Sequence, residues 1–383
     1  MRYVLLLLFS LLAGCASAPQ APPAPPLFDD TRFTPPSQHI SADDVFALTD
    51  AMRSYVKHDI GQQLRMKGAQ RGLIDALYNR GELKLEYDSA MTRNAAEAFE
   101  ARTGNCLSLV IMTAAFAKEV GLPVRFHSVY VPETWSRSGN LYFSSGHVNL
   151  AIGKKPVEAR AVFDFAEYVT IDFLTPREMR GVHTQVIDED TIVAMFLNNR
   201  AAESLAQGRV DDAYWWARAA VEHAPTFLTP YNTLGVIYSM HGDAQRAADV
   251  LRYVVSVEPG NRQAMSNLVP VLERLGDTQE AQELAQRLAR LEPQPPFHYF
   301  NQGVAAMHDR DYARAKSLFQ QEVDRAAYYH EFHFWLALAN LGLGDAKEAR
   351  KHLAVALDNS TTRFDRDLYA AKLAHLKPAT RLR

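Results

Sequence analysis

A cysteine, a histidine and an aspartate occur in that order in the middle of the chain and could together perform nucleophilic acyl chemistry. Cys106 is one of two cysteines, and the preceding Arg102–Asn105 predicts a turn and a helix start. There the positive end of the helix dipole favours the thiolate, the form that attacks a carbonyl carbon. His147 could carry the proton, and a carboxylate could orient it. Asp172 ends an apolar strand and is favoured for this role, with Asp164 as the alternative.

The surrounding segments predict the elements that must position these side chains. Apolar residues predict a buried helix from Cys106 to Val120, ended by glycine and proline. Strands are predicted at Val124–Val131 and His147–Ile152, with further candidates at Val162–Phe165 and Val169–Phe173. Residues 41 to about 102 are predicted mostly helical. The middle of the chain is therefore α+β, with helices first and an antiparallel sheet after them.

The second predicted strand has two unlike faces. Its even-numbered residues are apolar, whereas His147 and Asn149 lie on the other face. His127, on the first strand, is interpreted as a structural, half-buried histidine.

These motifs resemble the transglutaminase-like superfamily, which has a papain-type Cys-His-Asp arrangement. Gly104-Asn105-Cys106 opens the helix and Gly121-Leu122-Pro123-Val124-Arg125 leaves it, with His147 and Asp172 on successive strands. The similarity spans roughly residues 85–180, within a domain predicted at 41–190. It implies that Cys106 is the nucleophile, His147 the general base and acid, and Asp172 the orienting carboxylate.

The resemblance has two departures. Asn149 stands where the family often has an aromatic residue, two positions after the histidine. Tyr168 is the nearest aromatic residue before the aspartate, where the family usually has a tryptophan-containing strand. The backbone N–H of Cys106 is the one oxyanion donor that the sequence indicates.

A 34-residue period fills the second half of the chain. It relates Ala213, Ala247, Ala281, Ala315 and Ala349, and similar series of glycines and prolines. The pattern resembles the tetratricopeptide repeat, an all-α solenoid that binds proteins or peptides. Five units are expected over residues 194–363, with a helix or tail at 364–383. The departures in the last two units are Arg310, Ala327 and Thr361.

Two polar or aromatic motifs in the first repeat have alternative interpretations. Tyr214-Trp215-Trp216 is expected to pack between repeats, with docking on the α+β domain as the alternative. Asn198-Asn199-Arg200 could serve either a domain contact or solvation.

The N-terminal residues predict a lipid-anchored envelope protein. Residues 1–15 have the charge and apolar run of a signal peptide. Leu12-Ala13-Gly14-Cys15 resembles the lipobox of bacterial lipoproteins, which implies lipid on Cys15 and sorting to the outer membrane, facing the periplasm. Residues 16–40 are predicted to form a proline-rich spacer, with ordered structure starting near Ser41.

Several functional classes are disfavoured. A formal net charge of -3 argues against a nucleic-acid partner. No glycine-rich phosphate loop occurs, and the two histidines of His330-Glu331-Phe332-His333 are one residue short of zinc-protease spacing. We therefore expect neither a metal nor a cofactor.

Two functions fit these observations. The first is an anchored thiol enzyme acting as a peptidase, an amidase or a cross-linking transferase, with the repeats recruiting its protein client. The second is a scaffold lipoprotein whose repeats organise an envelope complex and whose triad-like residues are structural.

Overall fold

The computed structural model describes residues 27–78, 85–89, 91–130, 135–138, 141–144, 146–154, 168–173 and 183–376. The predicted signal peptide, the lipidation candidate Cys15, the alternative carboxylate Asp164 and the candidate strand Val162–Phe165 lie outside these ranges. Below, residues 41–187 are called the head domain and residues 189–358 the repeat array.

The head domain begins with short helices that pack around one central helix. A π-helical turn, Tyr55–Asp59, follows the first of them. The helices are α1 (Asp50–Ser54), α2 (Gly61–Lys67), α3 (Ala69–Tyr78), α4 (Ala95–Ala101) and α5 (Cys106–Glu119). In α5 every residue from Leu107 to Ala117 is buried. A helix that is apolar on all sides must be enclosed, which explains why α5 forms the centre of the core.

Among the described residues of the head domain, the strands form one four-stranded sheet and two small pairs. The strands are β1 (Glu86–Tyr87), β2 (Thr103–Gly104), β3 (Val124–Tyr130), β4 (Trp135–Ser138), β5 (Leu141–Ser144), β6 (His147–Ile152), β7 (Val169–Ile171) and β8 (His183–Ile187). The large sheet has the order β7-β6-β3-β8, and each of its neighbouring pairs is antiparallel. Strand β6 is buried along its whole length. The predicted α5, β3 and β6 are confirmed to within one residue at each end.

Antiparallel helix pairs at the predicted period make up the repeat array. Its helices are α6 (Glu189–Ala206), α7 (Val210–His223), α8 (Thr229–His241), α9 (Ala244–Val257), α10 (Arg262–Leu275), α11 (Thr278–Leu291), α12 (His298–His308), α13 (Tyr312–Arg325), α14 (His330–Gly342) and α15 (Ala346–Asp358). Helix α16 (Arg363–His375) follows them. The five periodic alanines are all buried where paired helices cross. Gly235 shows why small residues are needed there, since a Cβ would lie 2.6 Å from Leu251 Cγ.

The turn between the helices of each pair adopts the left-handed conformation. Gly208, Gly242, Gly276 and Gly344 have φ between 74° and 95°. The corresponding residue of the fourth pair is Arg310, with φ of 60° and an exposed side chain. The departure noted in the sequence therefore changes the residue but not the backbone.

Replacing Arg310 by glycine is expected to raise the free energy of unfolding of the array by about 1 kcal/mol, since the left-handed conformation is costly for a residue with a Cβ. Urea denaturation followed by circular dichroism measures this change in the free energy of unfolding. The matched control is Gly276→Arg, which should destabilise the array by a similar amount. Equal stability of all three proteins would contradict the argument.

An N-terminal segment, residues 27–38, lies against the first two repeats. Phe33 stacks on Tyr214 with ring centroids 3.8 Å apart. Trp215 Nε1 donates to Thr34 O at 2.6 Å. Asp212 accepts hydrogen bonds from the backbone N–H and the hydroxyl of Ser37 at 2.8 and 2.7 Å.

These contacts correct one expectation and extend another. The ordered part of the chain already includes Leu27, whose carbonyl oxygen accepts a hydrogen bond from the Tyr238 hydroxyl. The sequence predicts ordered structure only from about Ser41. Packing between repeats is confirmed for Tyr214, which contacts Tyr238 of the second repeat. In addition, Tyr214 and Trp215 bind the N-terminal segment, which neither interpretation of the motif included, and Trp216 packs on Phe196 within the first repeat. The partners are about 180 residues apart, so no local sequence pattern could pair them.

Over the part of the chain that the structure describes, none of the helices combines the length and apolar character that crossing a bilayer requires.

Candidate functional site

Cys106 is the first residue of α5. The preceding Asn105 caps the helix, because its side-chain oxygen accepts from Ser108 N at 2.9 Å. Gly104 is required before the cap, since a Cβ there would lie 2.6 Å from Ser108 Cβ. The Cys106 side chain is half-buried and its thiol is free. Its backbone N–H is one of the first-turn donors that have no acceptor within a helix, so it can serve a developing oxyanion.

The cap of α5 is connected to the array through Thr92, which is 1% exposed. Asn105 Nδ2 donates to Thr92 Oγ1 at 2.8 Å. From α6, Asn199 Nδ2 donates to the same oxygen at 3.2 Å and Arg200 Nη1 donates to Thr92 O at 3.2 Å. Glu203 Oε1 accepts from Thr92 N at 2.7 Å.

This connection decides between the alternatives for the polar motif that begins the array. Asn199 and Arg200 form a domain contact. The first repeat thus supports the backbone that places Cys106, and these contacts form a polar interface between the head domain and the array. Burial raises the pKa of Glu203, although its hydrogen bonds to Thr92 act in the opposite direction.

The sheet brings His147 and Asp172 together. His147 is the first residue of β6, and Asp172 directly follows β7, the neighbouring strand. His147 Nε2 lies 2.7 Å from Asp172 Oδ1, and the two side chains are 5% and 14% exposed. Because the carboxylate only accepts, Nε2 carries the hydrogen. The other ring nitrogen, Nδ1, is then the one that can exchange a proton with a nucleophile.

The thiol of Cys106 interacts with the His147 ring. Burial acts to lower the pKa of His147, but the hydrogen bond to Asp172 and the interactions with Cys106 together raise it to about 9. The imidazole is therefore protonated at neutral pH. A protonated ring beside Cys106 places a positive charge next to the sulfur.

Asn149 contributes to the same face of the sheet. Its Nδ2 donates to Asp172 Oδ2 at 2.7 Å, and its Oδ1 lies 3.0 Å from His127 Nδ1. The sequence prediction that His147 and Asn149 share a face is confirmed. The sequence prediction did not include the contact between Asn149 and Asp172. The feature that could have indicated it is an amide at the position where the related family often has an aromatic residue.

The remaining candidates lie apart from this site. His333 lies on α14 and bonds to His352 Nδ1 and Ala327 O, at 3.1 and 2.9 Å. His330, on the same helix, bonds to the Tyr369 hydroxyl at 2.8 Å. Within the described ranges, no three histidine, cysteine, aspartate or glutamate side chains gather as metal ligands.

Comparison with known proteins finds both kinds of domain, and the transglutaminase-like match extends over α6 and α7, the first helix pair of the array. Residues 58–224 match the transglutaminase-like superfamily, and residues 238–300 and 300–363 match tetratricopeptide repeat families. A search of curated proteins gave no match.

Solved structures similar to this chain include three proteins, two of them described as TPR proteins. A thermophilic TPR protein from Thermus thermophilus is 19% identical, over 47% of this chain and 99% of that chain, with a TM-score of 0.31. YrrB, a TPR protein with an unusual peptide-binding site, is 19% identical over 47% and 92%, with a TM-score of 0.26. MamA from Desulfovibrio magneticus RS-1 is 20% identical over 45% and 96%, with a TM-score of 0.26. The chain carries a transglutaminase-like domain followed by a tetratricopeptide repeat array.

Proposed function

We propose that the head domain is a thiol-dependent acyl-transfer enzyme acting on a protein or peptide client that the array recruits. The observation that carries this proposal is the arrangement of Cys106, His147 and Asp172. The thiol is at a helix start, the ring interacts with it, and the carboxylate holds the opposite ring nitrogen at 2.7 Å. This arrangement supports nucleophilic acyl transfer by a thiol.

The first half of the reaction forms a thioester. Cys106 Sγ attacks the carbonyl carbon of an amide, and the backbone N–H of Cys106 stabilises the oxyanion that develops. As the carbon–nitrogen bond breaks, His147 Nδ1 gives its proton to the departing amine. Asp172 keeps Nε2 protonated and the ring oriented throughout.

The second half releases the acyl group. Water or an amine attacks the thioester carbonyl, and His147 takes a proton from this nucleophile. The sulfur leaves as the thiolate. Water as acceptor gives peptidase or amidase action, and an amine gives a cross-link.

The array and the anchor provide the context for this chemistry. Tetratricopeptide arrays bind peptides or partner proteins along an extended surface. The Thr92 contacts join the first repeat to α5, which supports a coupling between client recruitment by the array and chemistry at Cys106. Lipid on Cys15 would keep the enzyme at the inner face of the outer membrane and raise its effective concentration toward substrates there.

Thiol alkylation tests the proposal without a known substrate. In full-length Cys15→Ser protein, Cys106 is the only cysteine. At pH 5 it should react with iodoacetamide on the order of a hundredfold faster than a free model thiol, since an ordinary thiol is almost entirely protonated there. The matched control is His147→Gln, whose amide can still donate to Asp172 but cannot take up a proton.

The scaffold alternative predicts a different result. If Cys106 alkylates no faster than the model thiol, and His147→Gln does not change its rate, the pair is structural and the enzyme proposal is wrong.

A further inference from the structure

We propose that His127 and Asn149 are positioning residues that fix the plane of the Asp172 carboxylate for His147. This inference deepens the proposed acyl-transfer function and rests on it. The side chains form an unbroken hydrogen-bonded series across three strands, from His127 to Asn149 to Asp172 to His147.

Strand register accounts for this series. His127 on β3 lies directly opposite Asn149 on β6. On the other side of β6, Leu150 is opposite Ile171 of β7, so Asp172 comes next to Asn149. Directly opposed side chains on one face of a sheet are within contact distance. The backbone pairing therefore determines which side chains meet.

The chemistry of the groups fixes the direction of each hydrogen bond. The Asp172 carboxylate only accepts, so Asn149 must present its amide nitrogen to Oδ2. The amide oxygen of Asn149 then faces His127 Nδ1 at 3.0 Å. This oxygen only accepts, so His127 Nδ1 must carry a hydrogen. The assignment follows from donor and acceptor rules alone, whatever orientation of the amide is drawn.

The consequence is a carboxylate held at two points. His147 bonds to Oδ1 and Asn149 bonds to Oδ2, so rotation of the Asp172 carboxyl group breaks at least one bond. Asn149 is 2% exposed, so an unpaired amide there is costly. His127 supplies the donor that keeps this amide from turning over. The residue taken from the sequence as structural thus acts on the site through Asn149.

Three substitutions of His127 test this inference in the full-length Cys15→Ser protein. In His127→Asn, the side-chain Nδ2–H of the asparagine takes the position of the Nδ1–H of the histidine. In His127→Gln, the amide nitrogen instead corresponds to Nε2, and His127→Leu removes the donor. The rate of Cys106 alkylation by iodoacetamide at pH 5 should fall about tenfold in the Gln and Leu variants, as expected for one lost buried hydrogen bond. The Asn variant should stay within about threefold of the parent.

A second measurement separates positioning from general damage. Nuclear magnetic resonance titration of the His147 ring should give a lower pKa in His127→Gln than in His127→Asn, while both keep the parent's melting temperature. Equal rates and equal His147 titration in the parent and all three variants would overturn the inference, as would equal losses in the Asn and Gln variants. Failure of the proposed function can be distinguished from failure of this inference, because Cys106 of the parent would then be alkylated no faster than a free thiol.

Discussion

Replacing Asp172 by asparagine is expected to lower the rate of Cys106 alkylation at pH 5 by on the order of a hundredfold. The reason is that Asn149 already donates to one side of residue 172. An amide has one oxygen, and if that oxygen pairs with Asn149, its nitrogen faces His147 Nε2. The imidazole then takes the tautomer with hydrogen on Nδ1, which cannot accept a proton from the thiol.

The chain offers a matched rescue for this loss. In the double variant Asn149→Asp/Asp172→Asn, the new carboxylate at position 149 accepts from both His127 and the amide at position 172. The amide oxygen at position 172 is then free to accept from His147 Nε2. We expect alkylation to recover by about tenfold over the single variant, since one hydrogen bond of the correct polarity is restored. A double variant no faster than Asp172→Asn would contradict this description of the network.

The stability of the head domain is expected to fall by up to about 3 kcal/mol between pH 6.5 and pH 9 because of His147. Its pKa is raised to about 9 in the folded protein from an ordinary value of 6.5. Below pH 6.5 both folded and unfolded chains hold the proton, and this stabilisation is complete. Between the two values only the folded chain holds it, so stability is lost as the pH rises.

Urea denaturation at several pH values, for the parent and for His147→Gln, isolates this contribution. Glutamine can keep the bond to Asp172 without titrating, so other groups cancel in the difference between the two proteins. The free energy of unfolding of the parent should exceed that of His147→Gln most at pH 6, and this excess should decline toward pH 9. A difference that stays constant over this range would mean that Asp172 and Cys106 do not hold a proton on His147.

The sequence determined the local elements and the residue types of the site. The 34-residue period predicted the helix pairs because each pair repeats the same crossing and the same left-handed turn. The cap before Cys106 and the alternation along His147–Ile152 predicted a helix start and a two-faced strand. These patterns depend on near neighbours in the chain, which is why they can be recognised without a structure.

The tertiary structure decided the other partners, beyond the pairing of Asp172 with His147 that the family resemblance implied. The contacts of Asn149, His127 and Thr92 depend on strand register and on helix packing across the domain interface, and no spacing in the sequence encodes either. The same holds for Phe33 on Tyr214, whose partners are about 180 residues apart. The sequence around a buried amide such as Asn149 looks the same whether the amide is structural or supports the site. Only the neighbouring strands that supply its donor and its acceptor distinguish the two.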